Sequence, residues 1–154
     1  MLFVFAFSWF AQHYVLGFAA VKGDGMLPLL GKNNQVFVMK LFKNASALSR
    51  GDIVIFTDKN NNDNTVRLIG LPGEKVEIKN GLTFINGKPI YEPYAHTPLT
   101  YEMAPVIVPK NNIFVLNDNR SDQKDSREYG SVPFEWLKGR AVFCYWPWTK
   151  IQVL

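Results

Sequence analysis

Two charged triplets, Asp118-Asn119-Arg120 and Asp125-Ser126-Arg127, are the densest concentration of chemically able side chains in the sequence. Two carboxylates in one loop could form a catalytic acid pair. Each aspartate, however, has an arginine two residues later, and paired positive charge favours two ionised carboxylates over a shared proton. The spacing therefore predicts a charge-linked clamp, bidentate where arginine meets carboxylate, rather than an aspartic centre. Hydroxyl nucleophiles could come from Ser8, Ser46, Ser49, Ser121, Ser126 or Ser131, with Lys22, Lys40 or Lys124 as bases. None of these sits in a catalytic motif, and Ser126, inside the second triplet, reads as a local hydrogen-bonding group. His13, His96 and the single cysteine, Cys144, are too few for a histidine-rich or multi-cysteine metal centre. No metal or other cofactor is expected. Cys144 lies in the apolar run Ala141 to Trp146 and reads as a buried structural thiol.

The elements that would position these groups are short. Val36 to Met39, Ile53 to Phe56, Val66 to Ile69, Val76 to Ile78, Thr83 to Ile85, Ile113 to Leu116 and Ala141 to Tyr145 are β-forming runs separated by turn residues. Asn80-Gly81 between two such runs predicts a tight hairpin, and Asn86-Gly87 a second turn. The amide-rich segment Asp58 to Asn64 reads as an exposed loop. Tyr91 to Pro109, with four prolines, reads as a surface excursion, and Pro133 to Leu137 as one helical turn. Nothing has the period of a long amphipathic helix. At 154 residues and 47% hydrophobic content, one mainly β unit with its own core is expected.

Before Lys22 the chain carries no formal charge, and Phe3, Phe5, Phe7, Trp9 and Phe10 crowd its start. About 20 apolar residues are needed to cross a bilayer as a helix, and Gln12 with His13 would fall near the middle of such a span. The reading adopted is an apolar membrane-contacting segment over residues 1–12, followed by a strand from His13 to Val21 at the head of a β domain over 13–154. A strand pair buried in a soluble protein is the alternative. A cleaved export signal is disfavoured because the segment lacks a basic start. The net charge of +4 is scattered from Lys22 to Lys150 with no basic run, so nucleic acid is not an expected partner.

Four segments together resemble the boxes of the bacterial type I signal peptidases, membrane-bound serine proteases that use a serine/lysine dyad. They are Gly23-Asp24-Gly25-Met26-Leu27-Pro28-Leu29-Leu30, Gly51-Asp52-Ile53-Val54-Ile55-Phe56, Arg67-Leu68-Ile69-Gly70-Leu71-Pro72-Gly73-Glu74, and the two charged triplets followed by Tyr129 to Pro133. The resemblance implies an irregular assembly of antiparallel sheets, with Met26 and Pro28 in the cleft box. Asp118, Asn119, Arg120, Asp125, Ser126 and Arg127 would form a structural network beside it. It also implies that Gly25 stands where the family has its nucleophilic serine and Val66 where it has the lysine base. Gly23 and Gln123 stand where supporting hydroxyls are usual, and Asn117 replaces a glycine. The expectation is a non-catalytic relative that binds an extended peptide or a membrane-protein partner at a lipid surface, with its β domain on the extracytoplasmic side. A structural subunit of a membrane complex and a peptidase with a migrated site are the alternatives.

Overall fold

The computed structural model describes residues 16–40, 47–95 and 101–154. The apolar segment 1–12, with Phe3, Phe5, Phe7, Trp9 and Phe10, lies outside the described residues, as do Ser8, His13, Ser46 and His96.

Twelve strands are described: β1 (Leu16–Ala20), β2 (Gln35–Met39), β3 (Ile53–Thr57), β4 (Asp63–Gly70), β5 (Lys75–Lys79), β6 (Leu82–Ile85), β7 (Lys88–Pro89), β8 (Met103–Ile107), β9 (Asn112–Leu116), β10 (Val132–Pro133), β11 (Leu137–Trp146) and β12 (Gln152–Val153). One α-helical turn, α1 (Ser126–Tyr129), and two 3₁₀ turns, Phe134–Trp136 and Trp148–Lys150, complete the described structure. All pairings are antiparallel. The larger sheet runs β1-β2-β11-β3-β4-β9-β10 with β12 beside β11, and the smaller runs β7-β6-β5-β8.

Local chemistry explains the small sheet directly. Asn80 (φ 51°) and Gly81 (φ 75°) form the two-residue loop between β5 and β6, and Asn86 (φ 52°) and Gly87 (φ 80°) the one between β6 and β7. Positive φ at both central positions is the type I′ hairpin turn, which Asn-Gly adopts at the least steric cost. The larger sheet is held by side chains buried on both faces. In β3, Ile53 and Ile55 enter one cluster with Met26, Leu30, Val36 and Val38, whereas Val54 and Phe56 enter a second with Val66, Leu68, Ile113 and Val115. In β9, Ile113 and Val115 face that second cluster, while Phe114 and Leu116 join Ile69, Val76 and Val108 beneath the small sheet. The period-two alternation of a strand thus feeds different cores from opposite faces, which is why these runs read as continuously apolar.

Strand β11 is the long element that ties this together, pairing with β3 through Leu137–Arg140 and with β2 through Arg140–Trp146. Its register shifts beside Gly139, where a Cβ would lie 2.3 Å from the Met39 carbonyl oxygen. Only glycine fits that crossing.

Two expectations need correction. The excursion Tyr91 to Pro109 contains a strand, β8, which Pro105 does not prevent because β8 lies at the edge of its sheet. The exposed loop after β3 is shorter than Asp58 to Asn64, since Asp63 and Asn64 already pair with Thr57 and Phe56. Short helix α1 occurs within the charged signature, capped by the Asp125 carboxylate, which accepts from Arg127 N at 3.0 Å.

Candidate functional site

The loop after β1 is pinned from below. Met26 and Leu30 are fully buried in the first core cluster, Leu30 N donates to Met26 O at 2.9 Å, and Val21 and Asn33/Asn34 close the loop's base through backbone hydrogen bonds. Gly25, held beside Met26, therefore has a fixed place. Asn119 N donates to Gly25 O at 2.8 Å and so ties this loop to the one following β9. Val66 is fixed by β4, opposite Val54 in register and 1% exposed.

These elements enclose a cleft of about 390 Å³, and Gly23, Gly25, Val66 and Asn117 all line it. Four of the five positions at which the sequence departs from the resembled pattern thus meet in one place. The fifth, Gln123, is exposed and is not among the lining residues, although Asp122 and Lys124 on either side of it are. The box itself is divided: Met26 points into the core, while Pro28 is exposed and lines a separate hollow with Tyr94 and Lys150. The cleft's aliphatic wall comes from Val21 and Val66, and its rim from the Asp58–Asn64 segment. That rim folds onto Asp58, whose carboxylate accepts from Asn60 N and Asn62 N, both at 2.9 Å. The Asn62 backbone N–H is the main cause holding the Asp58 carboxyl below its usual range.

At the floor stands Asn117, 3% exposed. A Cβ built on Gly25 would lie 2.5 Å from Asn117 Oδ1 and 2.7 Å from its Cγ. The carboxamide thus occupies the volume into which any side chain at position 25 would project. It is held there by Nδ2 donating to Asp122 O at 3.1 Å and by Asn117 N donating to Asp125 Oδ2 at 2.9 Å.

Behind the cleft lies the charged network, with pairings that differ in part from the sequence spacing. Asp125 and Arg127 do pair, through Nε at 2.9 Å and Nη2 at 2.7 Å, and the arginine also donates to Arg120 O and Asp122 O. Asp118 pairs instead with Arg67 of β4, bidentate at 2.7 and 2.5 Å, and Arg67 further donates to Gly51 O. Arg120 donates to Asn117 O and makes a bidentate pair with Glu92. Burial pushes the Asp118 carboxyl above its usual range despite Arg67. Ser126 Oγ accepts from Val115 N at 2.9 Å, the local structural role expected of it.

Glu92 and Tyr94 were not legible beforehand. Tyr94 lies under the Arg67 guanidinium, 4.2 Å from ring centroid to Cζ, a cation–π contact. Burial, reinforced by the Glu92 charge, raises its phenol to about 12. The available signal was a lone acid beside an aromatic in a proline-rich stretch, which nothing local connects to Arg120, 28 residues from Glu92, or to the still more distant strand that carries Arg67. Arg50 and Glu74 form a further bidentate pair at 2.6 and 2.9 Å.

Among the described residues no serine lines the cleft, although Lys22 and Lys124 do, and Lys22 lies 3.8 Å from Asp63. No group of three or more histidine, cysteine or acidic residues suited to a metal occurs among the described residues. Cys144 is buried.

An irregular antiparallel assembly of this kind is a signal-peptidase-like β fold. The family described as signal peptidase, peptidase S26, matches residues 1–146, and the chain is a member of it. It is 36% identical over 143 residues to signal peptidase I of Leptolyngbya laminosa, covering 87% of this chain and 70% of that protein. It is 38% identical over 141 residues to the probable signal peptidase I-2 of a Synechocystis strain, covering 87% and 65%. Signal peptidase IB of Staphylococcus aureus is 31% identical over 150 residues, covering 86% and 78%. A crystal structure of a signal peptidase I from Enterococcus faecalis V583 superposes with a TM-score of 0.55 at 31% identity, over 60% of this chain and 95% of that one.

Proposed function

We propose that this chain is a non-catalytic member of its family that binds an extended peptide or a membrane-protein partner. The observation that carries the reading is the cleft floor. Gly25 and Val66, the positions that the resemblance assigns to nucleophile and base, face one cleft, and Asn117 fills the volume that a side chain at 25 would need. Peptide hydrolysis by a serine/lysine route needs an oxygen to attack the carbonyl carbon and a nitrogen to accept its proton. Glycine and valine supply neither. The intact charged network supports a role that still requires the folded cleft.

Membership in the family supports association with a membrane in general terms. We infer that residues 1–12 make the lipid contact and that the β domain faces the extracytoplasmic side. Among the described residues no helix is long and apolar enough to cross a membrane. A structural subunit of a membrane complex is the second reading. It draws support from an aromatic surface on the larger sheet, where Phe18, 63% exposed, packs tilted against Phe37 with centroids 5.1 Å apart, and Phe37 against Tyr145 at 4.7 Å.

The test is cleavage of a preprotein reconstituted in lipid vesicles. Wild-type chain leaves the substrate intact, while its binding is followed in parallel. Gly25→Ser/Val66→Lys is compared with the triple variant that adds Asn117→Gly, the triple being the better candidate for recovered turnover. Robust cleavage by the wild type that survives removal of contaminating peptidase would overturn the proposal.

A further inference from the structure

A buried carboxamide normally has partners at both ends. Asn117 satisfies one end: Nδ2 donates to Asp122 O at 3.1 Å, which fixes which end is nitrogen. Its Oδ1 accepts no hydrogen bond from any described residue and is the atom nearest to where a Cβ on Gly25 would stand, and Asn117 lines the cleft. Asn117 is 3% exposed as a residue and lines the cleft of about 390 Å³.

The wall above it suits a main chain. Gly23 lines the cleft without a side chain, while the bare face of Gly25 is already covered by Asn117, and glycine is the residue that lets another backbone approach to contact distance. A Cβ on Gly23 would meet nothing within 4 Å, so the approach there is open. The complement of a fixed carbonyl acceptor reached along a bare backbone wall is a main-chain N–H. Side-chain amides and hydroxyls would need a wider opening to turn in.

We infer that Asn117 Oδ1 is the cleft's recognition acceptor for one main-chain N–H of an extended peptide, the contact that stands in place of a nucleophile. This rests on the recognition reading above and adds to it the residue, the atom and the chemical group read. It also gives the glycine-to-asparagine departure at 117 a role beyond filling space.

The probe is a fluorescein-labelled peptide containing an Ala-x-Ala stretch, with a series bearing a single N-methyl group at each successive amide. Binding to the full chain in detergent micelles is read by fluorescence anisotropy. One neutral hydrogen bond is worth about tenfold in Kd. With the wild type, methylation at one amide weakens binding by about that factor. With Asn117→Gly, and independently with Asn117→Ala in case the glycine variant is poorly folded, the same two peptides differ by less than about twofold. A position-specific loss that persists unchanged in both variants overturns the assignment to Asn117. A flat methylation scan with the wild type also overturns it, while leaving the recognition reading in place. Absence of binding by the wild type removes both, and cleavage of the unmethylated peptide overturns the non-catalytic reading together with this one.

Discussion

Asp125→Ala should be among the most damaging single substitutions in the protein. Asp125 is fully buried and its Arg127 partner side chain is 1% exposed. The carboxylate receives the arginine's Nε and Nη2 together with the backbone N–H groups of Arg127 and Asn117. Removing it strands a buried guanidinium, which costs about 3–5 kcal/mol. The carbonyls of Arg120 and Asp122 still accept from Arg127, which argues for the lower end, about 3 kcal/mol. In a domain of this size that lowers Tm by roughly 6–12 °C. Calorimetry of the purified chain measures it, and a double variant, Asp125→Ala/Arg127→Met, should recover much of the loss because no charge remains stranded. An unchanged Tm in Asp125→Ala, or a double variant worse than the sum of its parts, would refute the burial argument.

Gly25→Ser alone should lower stability by about 1–3 kcal/mol through overpacking against Asn117, and adding Asn117→Gly should relieve it; strictly additive melting shifts would count against contact between the two positions. Tyr94 holds its proton to about pH 12, against 10.0 for the free group, so the folded state binds that proton more tightly. Its contribution is complete below pH 10 and is lost as pH rises toward 12. With the ring partly exposed, about 1–2 kcal/mol is at stake. Denaturation curves between pH 9 and 11.5 should therefore fall more steeply for wild type than for Tyr94→Phe, and parallel curves would contradict this. Flotation with liposomes should be lost when Phe5, Phe7 and Trp9 are replaced by serine; a wild-type chain that never floats would assign those rings to packing instead.

Strands and hairpins were legible because their signals are local. Asn80-Gly81 and Asn86-Gly87 specify their turns within two residues, and Ile53 to Phe56 of β3 and Ile113 to Leu116 of β9 are continuously apolar because each strand faces two cores. The site was legible in part. Gly25, Val66 and Asn117 were singled out one by one, but their meeting in a single cleft depends on β4 crossing the sheet and on the Asn119 N–H gripping the Gly25 carbonyl. The charged triplets announced a clamp without announcing its partners. Asp118 answers to Arg67, 51 residues away, and Arg120 to Glu92, and no local spacing encodes pairings made by strand topology. Strand β8 was missed because proline argues against strands in general and is silent about edges.

Proline at the edges has a consequence for how the molecule meets other chains. Along its main path the larger sheet ends at β1 and β10 and the smaller at β7 and β8, with the two-residue β12 a further short margin beside β11. Pro133, Pro89 and Pro105 lie in three of those four terminal strands, and a residue without an N–H leaves a gap in any ladder a visiting strand tries to build. Strand β1 has no proline. Among the described strands it is the margin best able to accept a continuous partner, and it runs straight into Val21 and Lys22 at the cleft. Among the described strands, edge-to-edge pairing with another copy is thus discouraged at β7, β8 and β10, and least so at β1.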